Sequence, residues 1–92
     1  MTPLSPDDVD ARLATVDGWA RADDAIQRRF EFVDFAESIE FVNRIAAVAE
    51  ERNHHPDLAV SWNVVTVSLA THSEGGVTDS DFELAASIDA LS

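Results

Sequence analysis

Between Asp34 and Pro56 the chain is committed to one long amphipathic helix, and that commitment limits what its flanks can do. Asp34 followed by Glu37 resembles a capping box, and Phe35, Ile39, Val42, Ile45, Ala46 and Ala49 then recur at spacings of three and four, which gives a helix an apolar face. The stretch closes on Asn53-His54-His55-Pro56, where the proline forces His55 out of helical geometry. The spacing predicts a helix over roughly 35–52, with a histidine pair just past its C-terminus.

On either side the apolar period changes from helical to two. Trp19–Arg21 and Ile26–Phe32 read as short strands around an Asp23-Asp24 turn, with Ile26, Arg28, Phe30 and Phe32 on one parity. Leu58, Val60 and Trp62, then Val65, Val67, Leu69 and Thr71, read as two antiparallel strands. They are joined by a tight turn in which Asn63 is the residue suited to positive φ. Two more helices flank these hairpins. Ser5-Pro6-Asp7-Asp8 is a helix start with Val9 and Leu13 inward, ending by Asp17-Gly18, and Thr78-Asp79-Ser80-Asp81 is a capping box before Leu84, Ile88 and Leu91. His72 is expected to close the last strand, ahead of a loop holding Gly75-Gly76. The order α-β-β-α-β-β-α implies an α+β fold, residues 1–92 forming a single domain: a four-stranded antiparallel sheet with three helices packed on one face. The other face, or an exposed edge strand, is left to pair with a second copy.

A chain of 92 residues with no cysteine has a modest core and no disulfide to support it, which favours oligomerisation. Its charge is one-sided: 18 Asp and Glu against 6 Arg, no Lys, a net charge of -12. Such a surface repels phosphate backbones and anionic lipid, so no nucleic-acid or membrane partner is expected. It reads as a salt-adapted solubility device, with an ordinary acidic protein as the alternative. No apolar run is long enough to span a bilayer, and Met1-Thr2-Pro3-Leu4 has neither a basic start nor an apolar stretch. A cytoplasmic location follows as the default.

All three histidines, His54, His55 and His72, fall in one short stretch. An ordinary imidazole titrates near pH ~6.5 and both gives and takes protons at neutral pH, so the cluster points to proton transfer or to a metal. Adjacent histidines chelate one ion poorly, no helical His-x-x-x-His is present and no cysteine helps, so no metal is expected. The hairpin reading carries His72 back toward His54 and His55 at one rim of the sheet, provided the register is right.

Glu50, His54-His55-Pro56, Trp62, His72 and Asp81, at their spacings, resemble the signature of the pterin-4a-carbinolamine dehydratases. Gly18-Trp19, Phe30-x-Phe32-x-Asp34-Phe35, Asn63-x-Val65-x-Val67-x-Leu69 and Thr71-His72 extend the likeness from about Leu13 to Leu91. The resemblance implies a hydro-lyase that converts a 4a-hydroxytetrahydropterin, such as 4a-hydroxytetrahydrobiopterin, to quinonoid dihydropterin and water. The pterin is then substrate, no cofactor is needed, and the functional link is to an aromatic amino acid hydroxylase. It also implies a homodimer or homotetramer.

Carried over position by position, His54 and His72 are the expected acid and base, and His55 orients or hydrogen-bonds the pterin. Asn53, standing where the family often has an acid, and Thr71 match binding positions, with Ser73 offering a hydroxyl or backbone group beside them. Trp62 reads as an aromatic wall for the pterin or as core packing. Glu50 reads as a solvated carboxylate or as a tuner of His54, Asp81 as a helix cap or a catalytic carboxylate, and Pro56 as a backbone shaper. Two other readings follow from the same resemblance: a protein-binding module, since the family in animals doubles as a dimerisation cofactor for a transcription factor, and action on a molybdopterin-type ligand.

Overall fold

A computed structural model describes residues 3–92; Met1 and Thr2, the first residues of the N-terminal stretch read above, lie outside the described residues. The elements follow the expected order: α1 (Pro6–Leu13), β1 (Ala20–Ala22), β2 (Ala25–Glu31), α2 (Phe35–Arg52), β3 (Asp57–Ser61), β4 (Val64–Leu69) and α3 (Asp79–Asp89), with a 3-10 turn at His72–Glu74. The strands form one antiparallel sheet in the order β1-β2-β4-β3. Ser5 caps α1 through Asp8 N–H, and Asp34 caps α2 through Glu37 N–H, so both helices begin where the sequence marks them.

The register sorts the side chains by face. Ile26 pairs with Leu69, Arg28 with Val67 and Phe30 with Val65, and these apolar residues are buried beneath the helices. The alternate set, Gln27 with Ser68 and Arg29 with Thr66, makes the opposite face polar. Trp19, Phe30, Phe32 and Phe41 meet edge-on or tilted, with centroids 6.2 Å apart for Trp19–Phe30 and 4.7 Å for Phe30–Phe41. Trp19 is thus a core residue; its indole N–H donates to both oxygens of Asp89, which also receives Arg28 at 2.7 Å. Gly18, at φ +86°, leaves room for that arginine, since a Cβ there would stand 2.7 Å from Arg28 Nε.

α1, expected to end by Asp17-Gly18, stops at Leu13, and a turn of Thr15 and Val16 N–H bonds continues from it. Three expectations need correction. The buried face of α2 is Ser38, Phe41, Ile45 and Ala49, while Phe35, Ile39 and Ala46 are exposed. The helix carries two neighbouring apolar series, and the sheet of this chain covers only one. Leu58 and Val60 share the face of buried Val67 and Val65, yet they and Trp62 are exposed, because β3 is the sheet edge and lies beyond the helical layer. In the β3–β4 turn the residue at positive φ is Trp62, at 52°, and not Asn63; the Asn63 side chain instead donates to Phe32 C=O at 3.1 Å, tying the turn to the entry of α2.

Candidate active site

The rim where α2 ends, β3 begins and β4 leaves the sheet collects most of the residues singled out above. α2 ends with Asn53 in the left-handed region at φ 52°, and the His54 N–H bonds back to Ala49 C=O at 3.1 Å. Asparagine is among the few residues that tolerate this conformation, so Asn53 is first a C-terminal cap. Pro56 then leads directly into β3. The left-handed cap and the proline together turn the two imidazoles in different directions.

His54 points toward the start of α3. Its Nε2 lies 2.5 Å from Asp81 Oδ1, and the Asp81 side chain is fully buried. The other carboxylate oxygen, Oδ2, accepts the Thr71 hydroxyl and the Thr78 backbone N–H, each at 2.9 Å. Thr78 Oγ1 lies 2.8 Å from Thr71 Oγ1; with the Thr71 proton committed to Asp81, Thr78 is the donor of that pair. An ionised carboxylate only accepts, so Nε2 of His54 carries the hydrogen and Nδ1 is the ring nitrogen left for other chemistry. The two readings of Asp81 therefore merge: the carboxylate that caps α3 is the one that orients His54.

His55 turns back along α2, where its Nε2 meets Glu50 Oε2 at 2.6 Å in an exposed pair. Glu50 is thus the partner of His55, and not of His54 as the tuner reading had it. His72 does not close β4, which ends at Leu69; it opens the 3-10 turn. That turn is pinned by the Thr71–Gly76 bridge and by Gly75 at φ +73°. The His72 imidazole is exposed, 3.8 Å from Asp57 Oδ2, an ion-pair distance beyond hydrogen-bond reach. Ser73 is exposed on the same turn.

Asp57 drew no attention in the sequence, and Thr78 was read there only as part of the α3 capping box. Asp57 directly follows Pro56 and begins a strand, which was signal enough to place it beside the rim. Two hollows flank the rim. One, of about 480 Å³ on the open sheet face, is bordered by His72, Asp57, Ser68 and Ala70. The other, of about 330 Å³ between α2 and β3, is bordered by His55, Glu50, Pro56 and Leu58. Trp62 is not at this rim: five strand steps of about 3.3 Å carry it some ~17 Å from Asp57, to the opposite end of β3.

A small α+β layer thus presents three imidazoles, each with a carboxylate within 4 Å. The model of the family described as pterin 4 alpha carbinolamine dehydratase matches residues 2–91, and the chain belongs to that family. A Thermosynechococcus vestitus protein provisionally named a pterin-4-alpha-carbinolamine dehydratase is 51% identical, over 89% of this chain and 86% of its own length. A Sulfolobus acidocaldarius protein of the same provisional name is 44% identical, over 96% of this chain and 97% of its own. Among solved structures, a transcriptional coactivator/pterin dehydratase from Brucella melitensis superposes with a TM-score of 0.93 at 38% identity, covering 98% of both chains. A pterin dehydratase-like protein identified as a RuBisCO assembly factor in the alpha-carboxysome gives 0.69 at 25% identity, covering 80% of this chain and 88% of its own.

Proposed function

We propose that this protein dehydrates a 4a-hydroxytetrahydropterin, with 4a-hydroxytetrahydrobiopterin as the reference substrate. The observation that carries the reading is the buried Asp81 carboxylate, which fixes His54 through Nε2 while the Thr71 hydroxyl and Thr78 N–H hold its other oxygen. In the reaction the C4a–O bond breaks, the hydroxyl takes up a proton and leaves as water, N5 loses its proton, and the C4a–N5 double bond of the quinonoid dihydropterin forms. One proton is given and one is taken, so no oxidant, metal or cofactor is consumed.

His54 and His72 move those two protons. His54 is held and oriented by a buried carboxylate, and exposed His72 is open to exchange protons with water. His55, steadied by Glu50, orients the pterin, and Asn53 and Ser73 offer polar groups beside it. Thr71 acts through Asp81, since its hydroxyl is already committed there. The reaction that supplies the substrate is an aromatic amino acid hydroxylation that leaves a 4a-hydroxyl on the pterin.

Purified wild type should accelerate the loss of 4a-hydroxytetrahydropterin absorbance above the buffer rate. His54→Gln and His72→Ala should each lower that rate by the ~10²- to 10⁴-fold typical of a missing acid or base. Wild type no faster than buffer refutes the reading. An inert His72→Ala protein that still captured a protein partner stoichiometrically would favour the binding-module reading instead.

A further inference from the structure

The hollow of about 480 Å³ on the open sheet face is the larger of the two beside the rim, and the carboxylates around it are not matched by cations. His72 and Asp57 border it on the β3 side, and Asp23 and Asp24 border it from the turn that joins β1 to β2. Gln27 and Ser68, paired across β2 and β4, bring an amide and a hydroxyl to its floor. No arginine borders it among the described residues. Arg29 shares this face of the sheet but stands two residues farther along β2, opposite Thr66.

The place of these charges matters for what a substrate can carry. In a tetrahydropterin C6 is bonded to N5 and lies two bonds from C4a, so the side chain on C6 stays close to whichever of these atoms His72 serves. Neighbouring strands stand about 4.8 Å apart, which makes the hollow some ~12 Å wide from β3 to the β1–β2 turn. A charge seated midway is then within a Debye length, ~10 Å at 0.1 M salt, of all three carboxylates. The imidazole of His72 already faces Asp57 at 3.8 Å. A hydroxyl entering the hollow can donate to a carboxylate or exchange hydrogen bonds with Gln27 and Ser68. A phosphate or carboxylate entering it meets like charge on both sides.

We propose that Asp23, Asp24 and Asp57 act as a charge filter: the site admits a pterin whose C6 side chain is uncharged and hydroxylated, and turns away one that ends in a phosphate or a carboxylate. The inference rests on the pterin reading and narrows it. It places a phosphate-bearing molybdopterin-type ligand behind a pterin with a neutral side chain. It also gives a use to Asp23, which holds φ 54° in a turn where asparagine would serve the backbone equally well.

The test compares the 4a-hydroxy forms of one tetrahydropterin with and without a phosphate ester on its hydroxylated C6 side chain, at about 0.1 M salt. The readout is the ratio of the two kcat/KM values, because a change that only loosens the fold moves both substrates together. Wild type should favour the uncharged substrate by ~10-fold or more, and less as salt is raised. Asp23→Asn with Asp24→Asn should bring the ratio several-fold closer to unity, and Asp57→Asn should shift it in the same direction. Asp7→Asn with Glu83→Gln removes the same number of charges from exposed positions on α1 and α3, and should keep the wild-type ratio. Wild type that turns over the phosphate ester as well as the uncharged substrate overturns the filter. So does an equal fall of the ratio in the Asp7 and Glu83 variant, which would assign the effect to net charge. Wild type inert on both substrates refutes the pterin reading itself, and the filter falls with it.

Discussion

His54 and His55 are neighbours in the chain, and each holds a carboxylate at nearly the same distance, 2.5 Å to Asp81 and 2.6 Å to Glu50. Their surroundings differ completely. The Asp81 side chain is 0% exposed and that of Glu50 is 76% exposed. In water a carboxylate loses little when its partner leaves, because solvent replaces the hydrogen bond and salt screens the charge. Buried, it keeps the whole desolvation penalty, and every donor aimed at it must find another acceptor. Distance alone does not separate a pair that fixes a reacting group from one that decorates a surface; burial and the number of donors do.

The largest break in this contrast is Asp81→Ala. It leaves His54 Nε2–H, the Thr71 hydroxyl and the Thr78 N–H without their acceptor, and should destabilise the fold by about 3 kcal/mol. For a domain of this size that is a fall in Tm of about 10–20 °C, measured by thermal unfolding followed by circular dichroism. Asp81→Asn separates fold from chemistry. Its amide oxygen still accepts from Thr71 and Thr78, but its NH₂ faces His54 and forces Nε2 to become an acceptor, moving the ring hydrogen to Nδ1. Most of the stability should remain while kcat falls ~10²- to 10⁴-fold. An Asp81→Ala protein with unchanged Tm and full activity would place Asp81 on the same footing as Glu50.

How much of this was legible in the sequence follows the same division between local and long-range causes. α2 was readable because its cap, period and proline stop are all local signals, and the hairpins because alternation is local too. The edge status of β3 was not, since Leu58 and Val60 alternate like core residues and only the reach of the helical layer leaves them uncovered. Asp81 was readable as a cap from its offset to Thr78, and its hold on His54 required the tertiary fold. Glu50 was assigned to the wrong imidazole because the left-handed turn at Asn53 rotates His55, and not His54, back along α2. Asparagine at that position is itself a recognisable helix-end signal.

Thr71→Val is a smaller break of the buried pair. It removes one donor to Asp81 and the acceptor for the Thr78 hydroxyl in a part-buried site, and should cost about 1–2 kcal/mol. Because His54 keeps its 2.5 Å contact, the rate should fall far less than in Asp81→Asn; an equal fall would assign Thr71 direct contact with the pterin. Asn53 sharpens the contrast from the junction between the two histidines. Asn53→Ala should lose about 1 kcal/mol from the strain of the left-handed conformation, whereas Asn53→Gly should retain stability. A glycine variant that folds normally but shows a raised KM would give the asparagine side chain a role on substrate beyond its cap.

The smallest effect belongs to Glu50→Gln. The pair it breaks is exposed on both sides, so denaturant unfolding should shift by no more than about 0.5 kcal/mol, and that shift should vanish in about 1 M salt, where the Debye length is near 3 Å. If His55 only orients the pterin, kcat should hold and KM should rise a few-fold, because a looser imidazole weakens binding without removing a proton-transfer group. A loss of kcat as deep as that of Asp81→Asn would mean that the exposed carboxylate is desolvated once substrate covers it. The distinction between the two pairs would then hold for the free protein alone, with pterin binding itself converting the surface pair into a buried one.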